Sequence, residues 1–224
     1  MNDIDTDHFA GRWRDFGALD RMADHWYWRP GWRLGRSFYT WHFTFPDATD
    51  LHGLVKSAQD ALRTVPGLSV VPTRWLHLTT QGVGFVGEVD ESELELITRQ
   101  TQARLRVLEP FMLELGPVDA DAEGIGLGVR PWAPVHAVRT AIRDAIATVW
   151  GHDQVPEAAD GFRPHLTIAY SASSGPAAPV YTALEPLRSW PSVTVPVDSV
   201  ELIELNRDEK EYRWITRVSL PLGG

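Results

Sequence analysis

Three histidines in this chain are followed two positions later by threonine: His42-Phe-Thr44, His77-Leu-Thr79 and His165-Leu-Thr167. With 8 histidines and 16 threonines in 224 residues, about half of one such triplet is expected by chance. Each triplet has an apolar middle residue and sits in a stretch that reads as a strand. Side chains two apart on a strand share a face. Each triplet therefore presents an imidazole beside a hydroxyl, while its middle residue points to the opposite, core side. The hydroxyl can donate to a non-bridging phosphate oxygen. The imidazole can take or give a proton near neutral pH. Two such pairs facing each other supply a base and an acid on opposite sides of one phosphorus. In-line displacement needs that arrangement, and it requires neither a metal nor a covalent intermediate.

The elements that must hold these residues can be read from periodicity. Residues 37–45 alternate, with Tyr39, Trp41, Phe43 and Phe45 on one face and Thr40, His42 and Thr44 on the other, so they predict a strand. Helical spacing follows over 47–65, with Thr49 or Asp50 as a cap and Pro66-Gly67 as the stop. Residues 74–86 read as a strand. Residues 90–107 read as a helix capped by Asp90 or Ser92. Residues 111–115 and 124–129 read as two strands joined by an acidic turn at Asp119–Glu123. A third helix is predicted over 134–150, with Pro134 in its first turn. Residues 164–170 predict another strand and 177–187 a short helix. Residues 193–205 and 212–220 predict a closing hairpin. The pattern is α+β. It has no G-x-G-x-x-G and no Walker loop. Residues 1–36, with Trp13, Trp26, Trp28 and Trp32 among six arginines, stand apart as an N-terminal arm before a domain spanning 37–224.

Composition narrows the classes. There is no cysteine, which excludes thiol chemistry and a disulfide framework. The formal net charge is −9, which argues against a long nucleic acid as the main partner but allows a nucleotide or an RNA end in a local pocket. No apolar run is long enough to span a bilayer, and the acidic start of the chain lacks a secretory pattern. The expected location is the cytoplasm, with no membrane partner.

The contexts Trp75-Leu-His-Leu-Thr-Thr and Arg163-Pro-His-Leu-Thr-Ile lie 88 residues apart. Two H-L-T motifs at this spacing resemble the two-histidine phosphoesterase superfamily, and within it the 2′-5′ RNA ligase and cyclic phosphodiesterase branch. The resemblance covers roughly residues 37–220. It implies a bilobal α+β fold with two pseudo-symmetric lobes, each giving one motif to a central cleft. It also implies cleavage or formation of phosphodiesters, at 2′,3′-cyclic phosphates or 2′-5′ linkages, with no metal or other cofactor. His77, Thr79, His165 and Thr167 match the family's motif positions. Ligase-like relatives often carry a basic residue in an H-x-T-x-x-R pattern. Here Tyr170 stands at that place, which weighs against RNA.

Other residues have two readings each. His42 either contacts the substrate or tunes a neighbouring pKa, or it is a surface histidine or one that only supports residues touching the ligand. Tyr170 either stacks on a base or bonds a phosphate, or it is a core tyrosine at a strand end. The Trp/Arg segment from Trp26 to Arg36 is either a lid that stacks bases and contacts phosphate or an amphipathic arm packed by its tryptophans. Asp119, Asp121 and Glu123 lack a calcium-loop pattern and read as a solvated turn. The remaining histidines, His25 among them, show no metal-ligand spacing. The expected function is a phosphodiesterase in which Thr79 and Thr167 hold non-bridging oxygens, His165 is the base and His77 the acid. The alternatives are a 2′-5′ RNA ligase and a nucleotide-binding module without turnover.

Overall fold

Alternating aromatic and polar residues make the first long strand. In the computed structural model, which describes residues 11–224, β2 runs over Ser37–Thr44. Tyr39, Trp41 and Phe43, with Phe45 just beyond the strand, are all buried. Burying side chains of this size contributes roughly 1.5–3 kcal/mol each. Residues 1–10, including His8 and the start of the arm, lie outside the described residues. From residue 11 the arm holds α1 (residues 11–17) and the short strand β1 (Arg21–Met22), which pairs with β8 (Gly175–Pro176).

Two antiparallel sheets form the body. One has the order β11-β10-β2-β4, from β4 (His77–Phe85), β10 (Ser199–Asn206) and β11 (Arg213–Pro221) with β2. The other has the order β3-β7-β6-β5-β9, from β3 (Leu68–Val70), β5 (Phe111–Ala120), β6 (Gly124–Arg130), β7 (Leu166–Ser171) and β9 (Val193–Val197). Helices α3 (Glu91–Leu105) and α4 (Trp132–Trp150) pack on each other, α4 against β4 and α3 against β11. Helices α2 (Thr49–Leu62) and α5 (Ala178–Leu184) belong to the second lobe, where α2 contacts β7, β9 and α5. Strands β4 and β7 approach each other where the lobes meet. The α+β bilobal architecture is thus as expected, but the lobes are interleaved: α2 follows a strand of the first sheet and covers the second.

Several local expectations need correction. Helix α2 starts after Ala48 with no side-chain cap; Thr49 and Asp50 are its first residues, and Asp50 instead favours the positive end of the helix dipole. Asp90 does cap α3, accepting from the backbone N–H groups of Ser92 (2.9 Å) and Glu93 (3.3 Å). Residues 193–205 are two strands in different sheets rather than one. Strand β9 pairs with β5, and β10 lies between β2 and β11. Pro196 has no N–H to donate, so it suits β9, the outermost strand of its sheet, and would break a central one.

Candidate active site

His77 opens β4, the edge strand facing the second lobe. Its neighbour Leu78 is fully buried on the opposite face, so the backbone is fixed from behind. His77 Nδ1–H donates to the carbonyl of Trp75 at 2.8 Å, which leaves Nε2 as the nitrogen free to act on a ligand. Its ring lies against His42 (4.6 Å between centroids, 8° between planes), Trp214 (5.4 Å) and Tyr212 (5.9 Å). This packing removes water, and burial pushes the His77 pKa down to about 4. The Trp75 carbonyl opposes the shift and His165 adds to it.

His165 repeats the arrangement from the other lobe. Its Nδ1–H donates to the carbonyl of Arg163 at 2.9 Å, again two residues back, and Leu166 is fully buried behind it. It lies one residue before β7 rather than within it, and it is exposed where His77 is buried. The pairs His77–Thr79 and His165–Thr167 line one cavity of about 210 Å³. The two motifs that the sequence singled out are therefore brought together, with matching hydrogen bonds.

The third motif is split by strand pairing. Strands β2 and β4 run antiparallel in a register that sets His42 opposite Thr79 and Thr44 opposite His77. His42 Nε2 and the Thr79 hydroxyl are hydrogen-bonded at 3.1 Å, and His42 lines the same cavity. Thr44 instead donates to Glu201. His42 is 1% exposed, its Nδ1 has no partner, and burial holds its pKa well below the ordinary histidine value. It is not a surface histidine, and its one side-chain hydrogen bond supports Thr79 of the first motif.

Tyr170 lines the cavity as a buried ring stacked on His25 at 4.1 Å, and burial pushes its phenol pKa up. Arg36 is not brought to the histidines. Its guanidinium pairs with Glu88, donates to the Gly31 carbonyl and covers the Phe85 ring at 3.8 Å. It serves packing at the far edge of β4, and the cavity lining does not include it. The acidic turn is not simply solvated. Asp119 is buried and ion-paired with Arg12 at 2.9 Å, and burial still raises its pKa. Asp121 accepts from the backbone N–H groups of Glu123 and Gly124. Glu123 accepts from Arg29 and His25. Among the described residues, no group of three or more His, Asp or Glu side chains has metal-holding geometry.

Three wall residues escaped the sequence reading, His25, Arg207 and Tyr212, while Arg29 and Trp32 of the Trp/Arg segment also line the cavity. His25 Nδ1 contacts Glu123 at 3.0 Å and its Nε2 contacts the Tyr212 hydroxyl at 2.9 Å; burial lowers its pKa to about 3. Partners 98 and 187 positions away leave no local signal.

Comparison with known proteins identifies the family and the fold. The model of the 2′-5′ RNA ligase superfamily matches residues 46–209. Protein TT0787 of Thermus thermophilus superimposes with a TM-score of 0.64 at 18% identity, covering 84% of this chain and 98% of that one. LigT of E. coli in its apo form gives 0.61 at 14% identity, covering 84% and 99%. LigT complexed with 3′-AMP gives 0.64 at 14% identity, with the same coverage. Among curated proteins, no sequence relative matches. Fold and site thus define a two-histidine phosphoesterase architecture, and the chain belongs to the 2′-5′ RNA ligase superfamily within it. Among the described residues, no helix is long and apolar enough to cross a membrane.

Proposed function

We propose that this protein is a phosphodiesterase that hydrolyses 2′,3′-cyclic nucleotide phosphates or 2′-5′ phosphodiester bonds by acid–base catalysis between His77 and His165. The observation that carries this reading is the repeated geometry. Two H-x-T pairs from different lobes line one cavity, each histidine with Nδ1–H fixed on the carbonyl two residues earlier. That bond fixes the tautomer, so both Nε2 atoms are available for proton transfer. Small nucleotides suit a cavity of this size, and structures of LigT with 3′-AMP and with ATP lend support by likeness of fold.

Burial supports role assignments opposite to those expected from sequence. The buried His77 is neutral at pH 7, so its Nε2 starts as the base and takes a proton from water. The water oxygen attacks phosphorus, the bond to the leaving ribose oxygen breaks, and His165, which enters this step as the imidazolium with a proton on each nitrogen, gives its Nε2 proton to that oxygen. An anionic phosphate beside His77 raises its proton affinity on binding and brings it closer to a useful base. Thr79 and Thr167 donate to the non-bridging oxygens. For Thr79 this needs His42 as the Nε2–H tautomer, donating to the hydroxyl oxygen and leaving the hydroxyl proton for phosphate.

The test is product release from a panel of 2′,3′-cyclic mononucleotides and 2′-5′ dinucleotides, in EDTA, for wild type, His77→Ala and His165→Ala. Turnover by wild type, reduced at least about 10²-fold in each folded variant, is expected. Turnover that survives either substitution would overturn the two-histidine mechanism. Nucleotide binding with no conversion of any panel member would instead favour a binding module.

A further inference from the structure

Arg207 follows β10 directly and sits in the cavity wall beside the two motifs. It is 3% exposed. Its Nη2 donates to the carbonyls of His25 (3.0 Å) and Tyr27 (3.2 Å), which holds the guanidinium from behind. Its Nη1 is buried with no partner. The rings of Trp26, Trp32 and Tyr212 surround its Cζ at 5.5, 5.7 and 5.7 Å. None of the ion pairs among the described residues includes it, whereas the neighbouring Arg29 is paired with Glu123. A guanidinium withdrawn from water without a counter-charge is costly, and stacking on rings offsets only part of that cost. The arrangement has the form of a half-made ion pair whose other half is a ligand.

We infer that Arg207 is the anion anchor of this cleft, its Nη1–H donating to a non-bridging oxygen of a nucleotide phosphate. This rests on the reading that the cleft takes a nucleotide phosphate. Tyr170, three residues after Thr167, is uncharged, and its buried ring packs 5.4 Å from Tyr212. Arg207 lies 5.7 Å from the same Tyr212 ring and brings a positive charge from the residue after β10. The other buried groups that line the cavity, His25, His42 and His77, are held neutral by burial.

The experiment is calorimetric titration of wild type, Arg207→Lys and Arg207→Met with 3′-AMP, and with adenosine as the uncharged counterpart. Folding is checked by circular dichroism. The Met variant loses the two carbonyl contacts, so the Lys variant, which keeps the charge, carries the test if Met fails to fold. Arg207→Met is expected to weaken 3′-AMP by about tenfold or more, with adenosine unchanged; Arg207→Lys is expected to fall between. In turnover of a 2′,3′-cyclic nucleotide, KM should rise while kcat changes far less. Equal loss for 3′-AMP and adenosine, or no loss for either, would overturn the inference and leave Arg207 a packing residue. So would a wild type that binds no 3′-AMP. Arg207-dependent 3′-AMP binding by a protein that converts no cyclic nucleotide would strike at the phosphodiesterase reading alone.

Discussion

His77, His42 and His25 are three imidazoles kept neutral by burial, and each gains a proton more readily in the unfolded chain. The unfolded value is near 6.5 and that of folded His77 about 4. Where the unfolded state binds more protons, stability rises with pH. The stabilisation is therefore fully present above about pH 6.5 and is lost as pH falls towards 4, by roughly 3 kcal/mol for His77 alone. The groups facing His77 are the rings of His42, Tyr212 and Trp214 with His165 nearby, and no carboxylate is among them. Asp119 and Glu201, whose carboxyls burial pushes up, act in the opposite direction. The expected outcome is a Tm that drops between about pH 7.5 and 5, with a smaller drop in His77→Asn. A Tm that is equally steep in both proteins would show that His77 is not the group responsible.

At the level of elements, the register of β6 against β7 places the second motif. Gly126 pairs with Thr167 beside a register shift, and a Cβ at Gly126 would meet the Leu166 carbonyl oxygen at 2.7 Å. That oxygen belongs to the backbone and cannot swing aside. Gly126→Ala is expected to push β7 outward, costing about 1–3 kcal/mol. It should also displace His165 and Thr167 from the cleft. Gly53 in α2 is the control, since a Cβ there meets nothing within 4 Å. Gly53→Ala should stabilise by up to about 1 kcal/mol with turnover unchanged. Urea denaturation and the cyclic-nucleotide assay on both variants check this. Equal activity in the two would mean that the β6–β7 spacing does not set the site.

Across the whole molecule, charge separates substrate classes. The chain carries a net −9. Arg12 and Arg29, which line the neighbouring cavity of about 270 Å³ at His165, are paired with Asp119 and Glu123. A local cationic spot on an acidic protein favours a small anion over a long polyanion. Lengthening a 2′-5′ dinucleotide to roughly a 20-mer should therefore bring no gain in affinity. The slope of log K against log salt should stay near that of one phosphate contact, about −0.7 for a single strand. Fluorescence titrations between about 50 and 200 mM salt measure this, and a slope several times steeper would point to an RNA groove.

The motif chemistry was legible in the sequence because strand alternation is a local rule. It put Leu78 and Leu166 into the core and each His–Thr pair on one face, and the spacing of the elements gave the α+β order. Asp90 could be read as a cap for the same reason, since its contacts lie within three residues. Tertiary structure alone decided which sheet received residues 193–197 and 199–206, because an alternating segment does not name its partner strand. It also decided that His77 is buried and His165 exposed, although their motifs are alike. Arg36 and Arg207 show the same limit. As residue types they are identical, yet one finds Glu88 at the edge of β4 while the other is left with an unpartnered nitrogen in the cleft. Burial, pairing and proton affinity depend on groups far apart in the chain, and no local pattern carries that information.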